Sequence, residues 1–417
     1  PFVPMKQLLG LAVSFVLAPV ALAGSWVVAP DPGPGVDFTS VQAAVDGAGE
    51  SDLLLISGGF SESVVIDGKS VTLQGLTGAG LFSTLPGSGS TPLVEIRNLT
   101  AGQEVHLRGM SLVRITGEGG DTIRLDGNAG RVWLEELFVD TYDGHALVAD
   151  ASVDVVLSEV FLQPNAAFLD GGVPTSAGSM VLTGGSVVHG FDVDATGSHG
   201  PPLFTTPTGP QPGGTALLVV DSQLHLEGGH VGGGSGGTFF SGGCVSAATG
   251  GAALSVQTAG GTAPVVTLRD VQLSGGTSGF HDPTCAPAPP QAPTLDDPSG
   301  AVSLLPGKAR LLQLPSTPTS TGAFEFQLIG EPGEAYLLFA SPGVLTPTPL
   351  PGFVGELLLD PTGSFLAASG NLDALGFDIQ GAAFVNPGPP LAVHAQAVLL
   401  DAQGTLRFSS PGSILFP

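Results

Sequence analysis

Six residues in the middle of the chain have the chemistry to recognise a sugar: Trp133, Phe138 and Phe161, with His106, Arg108 and Glu135 beside them. Aromatic rings stack on the apolar face of a pyranose, while imidazole, guanidinium and carboxylate groups bond its hydroxyls. Five of the 11 basic residues, Arg97, Arg108, Arg114, Arg124 and Arg131, fall in the same stretch. Asp140, Asp143, Asp150 and Asp154 could contribute oxygens to Ca²⁺, although turn aspartates more often bond their own backbone. His225 and His230 flank Glu227 without a third ligand, so no metal is assigned to them. Ser, His and Asp residues are scattered with no nucleophile elbow. No catalytic residue and no cofactor are assigned from these patterns, with Ca²⁺ left open.

An internal repeat must position these groups. Apolar residues recur at spacing 0, 2, 5 and 7: Val105, Leu107, Met110 and Leu112, then Val132, Leu134, Leu137 and Val139, then Val155, Leu157, Val160 and Leu162. Met180, Leu182, Gly185 and Val187 follow, as do Leu217, Val219, Ser222 and Leu224, and finally Val266, Leu268, Val271 and Leu273. Two short alternating strands joined at a corner, repeated at about 25 residues, describe a parallel β-solenoid coil. A Greek-key sandwich would not repeat one code at a near-constant period. The register predicts that Leu107, Leu134, Leu157 and Leu182 stack inward. His106, Trp133, Val156, Val181 and Leu218 should then form one outer column, and Ser111, Phe138, Phe161 and Ser186 a second.

Composition agrees with a long β protein. The chain has 417 residues, of which 64 are Gly and 36 Pro, too many for a helical bundle. A hydrophobic fraction of 42% is too high for disorder. The formal charge of −25 disfavours nucleic acid and anionic membrane surfaces as partners. Residues 5–23 read as a signal peptide, with Lys6, an apolar stretch from Leu8 to Val20 and a small-x-small cleavage pattern at Ala21-Leu22-Ala23. No other segment is long and apolar enough to span a bilayer, so the chain is expected to be secreted or extracellular, in the periplasm or at a cell surface. Cys244 and Cys285 are the only cysteines and are expected to pair, closing a loop worth about 4 kcal/mol before strain.

A family resemblance enters at the N-terminal part. Asp37 to Val45, Leu53 to Ile56, Gly58 to Glu62 and Val71 to Gly75 follow D-F-x-S-I-Q-x-A-V, a hydrophobic strand, G-x-Y-x-E with Phe60 for Tyr, and L-x-G. This resembles the start of right-handed parallel β-helix proteins of the pectate lyase-like superfamily. The same segment reads as a short amphipathic helix, with Phe38, Val41, Ala44 and Val45 on one face and Asp37 or Thr39 as its starter, able to cap the open end of the solenoid. The superfamily includes lyases, hydrolases, esterases and proteins without known activity. Its polygalacturonase-like branch carries paired aspartates and a Gly-His-Gly turn, but here Asp296-Asp297 lies in a Pro-rich stretch and His145 and His199 sit in other turns. Its pectin methylesterase-like branch is imitated by Glu62, Asp121 and Arg131, but the element that carries the nucleophilic aspartate has no room between Asp121 and Arg131.

After the Pro-rich segment Ala286 to Gly300 the code stops, and seven strand-like runs follow, as in a small β-sandwich. The module resembles C-terminal appendages of large secreted bacterial proteins. The expected chain is therefore all-β: signal peptide 5–23, right-handed parallel β-helix 24–300 with insertions, and β-sandwich 301–417. Its expected role is a scaffold or interaction protein that binds polysaccharide or a cell-envelope component. The alternative is a carbohydrate-active enzyme, whether polysaccharide lyase, glycoside hydrolase or pectin esterase.

Overall fold

In the computed structural model, residues 24–416 are described except 84–90, 115–119, 143, 165–177, 201–209, 242–243, 285–288, 316–321, 343, 362 and 384–390. Residues 5–23, where a signal peptide is expected, Asp143 and Cys285 lie outside the described residues. The first unit, Gly24–Leu311 with Ile329–Glu331, is a parallel β-helix. One coil runs Glu104–Arg108, Ser111–Arg114 and Ile123–Asp126, and the next runs Arg131–Glu135, Phe138–Thr141 and Leu147–Asp150. Each strand pairs in parallel with its counterpart one coil away, so the coils stack three faces. Val155–Pro164, Val187–Thr196 and Gln223–Gly232 cross the first corner unbroken and serve both of the first two faces.

Alternation places Leu107, Leu134 and Leu157 inward and buried, in register with one another. The column then departs from expectation. Gly190, rather than Leu182, pairs with Leu157, and Leu226 and Leu268 continue the column. Leu182 belongs to the third face, between Ala149 and Val219. Val181 and Leu218 likewise leave the outer column of Trp133, which His189 and His225 continue after Val156. Ser186 is replaced beside Phe161 by Asp194. The cause is that third-face strands carry the same apolar alternation, so Met180-Val-Leu182 mimics a first-face strand at a chance spacing close to the period.

The first corner needs a left-handed residue in each of these coils, met by Gly109 (φ 66°) and then by Glu136 (51°), Glu159 (54°), Asp192 (52°), Gly228 (76°) and Asp270 (53°). At the N-terminal end the helix Val41–Gly47 buries Val41, Ala44 and Val45 on the core. Ser40 caps it, accepting from the Ala43 amide, and Glu62 accepts from the Val41 amide (2.6 Å) and the Ser40 hydroxyl (2.7 Å). Lys69 Nζ donates to the carbonyls of Val45 (2.9 Å) and Ala48 (2.8 Å) at the other end.

The later coils carry a glycine-rich insertion that is neither sheet nor ordinary loop. Gly214 N donates to Ser198 O (2.8 Å), Gly234 N to Gly214 O (2.9 Å), Gly251 N to Gly234 O (2.7 Å) and Gly276 N to Gly251 O (2.8 Å). Extended segments therefore surround Gly234 on several sides, packed backbone on backbone. A Cβ built on Gly197, Gly213, Gly233, Gly234, Gly251 or Gly276 would fall far inside contact distance of a neighbouring carbonyl oxygen. From this region projects an antiparallel hairpin, Thr238–Ser241 with Cys244–Ala247.

The second unit, Leu312–Leu328 with Pro332–Pro417, has sheets of three and five strands and a two-stranded ribbon. Leu312, Phe326, Leu328, Leu338, Ala397, Leu399 and Phe416 form its core, as in a sandwich. The strands Val344–Pro349, Phe353–Val354 and Phe365–Asn371 are additions to the seven expected. The division falls after Leu311 rather than after Gly300, because Val302–Leu305 still pairs in parallel with Val265–Arg269 as a solenoid strand.

Candidate functional site

The six candidate residues sit on the first two outer faces of three consecutive coils, and burial separates them into two groups. His106, Trp133 and Val156 form the central outer column of the first face, flanked by Glu104, Arg131 and Asp154 on one side and Arg108, Glu135 and Ser158 on the other. Cross-coil pairing alternates charge. Arg131 is bonded to Asp154 (3.3 Å), His106 Nε2 lies 2.9 Å from Glu135 Oε2, and Arg108 donates to Glu136 Oε1 (2.7 Å) and lies 3.6 Å from Glu135. The Trp133 indole stacks on His106, with centroids 4.9 Å apart and planes at 21°. Trp133 is only 1% exposed, and His106, Arg108 and Glu135 are as deeply buried. This face is thus a covered, paired polar layer, and an open platform cannot lie on Trp133 as the chain stands.

The second group is open. Phe138 and Phe161 pair across adjacent coils on the second face, with rings 5.4 Å apart and nearly parallel at 7°. Phe138 is 40% exposed. Ser111 stands one coil earlier in the same column, so among the described residues a small side chain is what stands beside the far side of the Phe138 ring. Asp140 and Gln163 follow two residues along, and Asp194 and His230 continue the column beyond Phe161.

Glu136, Glu159 and Asp192 occupy the corner just before this pair, a feature the apolar code could not disclose because it passes over corner positions. Burial, followed by the charges of Glu136, Glu135 and Asp192, raises the Glu159 carboxyl to about 8. Burial likewise raises Glu136, against the pull of Arg108. A folded-state value above the ordinary 4.5 means the native chain holds the Glu159 proton more tightly than the unfolded chain. The contribution of Glu159 is therefore most favourable below pH 4.5 and is lost as pH rises to about 8. Glu159→Gln is expected to match wild type in thermal melts near pH 4 and to exceed it above pH 8, by on the order of 3 kcal/mol. Equal melting temperatures at both pH values would contradict this.

The remaining sequence candidates do not converge. Glu62 caps the helix, Asp121 lies at the start of the third face 3.5 Å from Arg124, and Arg131 pairs with Asp154. Asp140 faces out on the second face, whereas Asp150 accepts from Thr183 on the third. His225 stacks on His189 at 4.9 Å, Glu227 pairs with Arg269 (3.1 Å) and His230 reaches Ser274 (3.0 Å). Burial, then His225, holds His189 neutral, lowering it to about 3. Among the described residues no group of three His, Cys, Asp or Glu could hold a metal ion. Among them, too, no helix is long and apolar enough to cross a membrane.

No protein-family model matches the chain, and no curated protein matches it. Among solved structures, a likeness is found to the tailspike protein gp49 of Acinetobacter baumannii bacteriophage Fri1, a capsular polysaccharide depolymerase. It covers 93% of this chain and 86% of that one at 10% identity, with a TM-score of 0.17. A superposition at that score carries no argument about this chain, whose fold rests on its own strand register.

Proposed function

We propose that this chain is an exported β-helix scaffold that binds polysaccharide, and that its glycan-binding surface is the Phe138–Phe161 pair on the second face. The observation that carries this reading is the open side of Phe138. A pyranose laid over Ser111 would continue the Phe138–Phe161 stack by one member, with Asp140 within the same strand to meet its hydroxyls. The carboxylates around the pair and the charge of −25 favour a neutral or amino-sugar chain over a polyanion. The helix cap at Glu62 supports placing the solenoid with the pectate lyase-like superfamily, whose G-x-Y-x-E pattern ends on that residue. Asp282 N donates to Val245 O (3.0 Å), which brings the segment ahead of Cys285 to the strand of Cys244 and supports the Cys244–Cys285 pairing and an oxidising compartment.

Retention on immobilised neutral, amino-sugar and acidic polysaccharides, the last with and without Ca²⁺, tests the reading. Phe138→Ala is expected to weaken retention by at least about tenfold, the value of one lost stacking contact, with little change in melting temperature. Ser111→Trp should occupy the vacant position and block binding to the same degree. Retention unchanged in both variants would sink the proposal. A second reading, a carbohydrate-active enzyme, draws on Glu159, whose protonated carboxyl beside other carboxylates is the electrostatic setting of a general acid. Release of reducing or unsaturated ends that Glu159→Gln abolishes would establish that reading instead.

A further inference from the structure

The second unit contains a strand turned inside out. Along Phe377–Ala383 the exposed positions are Phe377, Ile379, Gly381 and Ala383, while the alternate positions Asp378, Gln380 and Ala382 are half-buried. The inward polar side is satisfied internally: Tyr336 donates its hydroxyl to Asp378 (2.5 Å), and Gln380 donates to the same carboxylate (2.8 Å). The outward side meets nothing comparable. Ile379 is 63% exposed and Leu375, in the preceding turn, 77%, with Leu366 on Phe365–Asn371, a strand of the five-stranded sheet, also exposed. Among the described residues Phe377–Ala383 ends its three-stranded sheet; Phe377 N and O are bonded to Asp373 in the preceding turn (2.9 and 2.8 Å), so the row left for another strand begins at Ile379. Exposed edges are ordinarily guarded by charge, Pro or a bulge, but the outward face of this strand carries none of these.

Charge indicates what could lie there. From Leu311 to Leu406 the sequence holds no Lys or Arg but eight carboxylates: Glu325, Glu331, Glu334, Glu356, Asp360, Asp373, Asp378 and Asp401. Glu325 lines the same groove as Ile379, about 970 Å³ in volume, and Asp373 stands in the turn just before the strand. A second copy would bring equally acidic surroundings to this patch and a like charge of −25. A basic partner would instead gain from the carboxylates at the rim and from the apolar centre.

We propose that strand Phe377–Ala383 is a docking edge for an extended peptide in which basic and apolar residues alternate, added as a further strand with its apolar side chains over Ile379 and Phe377. Backbone pairing would hold the peptide, and its alternate cations would face the acidic rim. Full-length mature protein can be titrated against a fluorescent, blocked decapeptide of alternating Lys and Val, with the Glu and Val counterpart as control. Binding of the Lys peptide alone is expected, weakened at least about tenfold by Ile379→Lys or Phe377→Lys and weakened further at high salt. Both side chains are exposed, so each variant should keep the wild-type melting temperature, which is measured alongside. The idea is overturned if neither peptide binds, if both bind alike, or if the substitutions leave binding unchanged. It is equally overturned if sedimentation shows a dimer that Ile379→Lys makes monomeric, since the edge would then be a self-interface.

Discussion

Gly234→Ala is expected to dismantle the glycine-rich insertion. The added methyl would meet the Ser198 carbonyl oxygen, with the Gly197 carbonyl close behind, and both are backbone atoms that cannot swing aside. Overpacking against side chains costs about 1–3 kcal/mol, and a clash with fixed backbone belongs at or above the top of that range. The segments that Gly234 bonds, at Gly214 and Gly251, would have to separate, taking with them the Gly276 bond to Gly251. Hydrogen exchange should therefore show protection falling by roughly a hundredfold, as about 3 kcal/mol implies, at residues 213–214, 232–236 and 250–251. The first-face strands from Leu107 to Leu157 should be spared, because they lie in earlier coils. Gly33→Ala is the control, since nothing stands within 4 Å of its added methyl. Wild-type protection in the Gly234 variant would mean that the backbone lattice is not what holds the insertion.

Trp133→Ala is expected to cost roughly 3–5 kcal/mol. The indole is the largest fully buried side chain described, stacked on His106 and set between two columns of ion pairs. Its removal would open a void against Arg108 and Glu135, exposing a charged layer whose pairs depend on being dry. A large loss of melting temperature with polysaccharide retention preserved is the expected result, and it would separate Trp133 from the binding surface assigned to Phe138. Lost retention at unchanged stability would return Trp133 to the role its sequence position first suggests.

The reach of the sequence reading follows from what the repeat encodes. Apolar alternation is a statement about which side chains enter the core, so Leu107, Leu134 and Leu157 were legible at once, and with them the outward setting of Trp133 and Phe138. The same alternation occurs on the third face, so nothing in the local pattern distinguished Met180-Val-Leu182 from a first-face strand. Counting faces rather than repeats, with Val155–Pro164 and Val187–Thr196 each serving two, puts Gly190 in the column. Burial of the outer face was less accessible still, because a covered Trp and an open one have the same spacing, and only neighbours distant in sequence distinguish them. Glu159 escaped for a different reason. A lone glutamate among valines reads as a turn residue, and its raised proton affinity comes first from burial and then from Glu136, Glu135 and Asp192 in other coils.

Gly190 also constrains how such a chain can change length. The absent side chain at that position is the space taken by Leu226 of the following coil, whose methyl a Cβ on Gly190 would strike. These two coils are matched to each other, not interchangeable members of a series. Upstream, where Leu107, Leu134 and Leu157 present like surfaces to one another, a coil could be duplicated or lost by slippage and the stack would close again. A join that removed only the Gly190 coil would set Leu226, whose methyl leans into the space beside Gly190, against the filled position of Leu157, and one that duplicated only the Leu226 coil would turn that leaning methyl onto another leucine. Gain and loss of whole coils is thus compatible with the segment before Val187, and the Gly190–Leu226 step must be inherited as a unit.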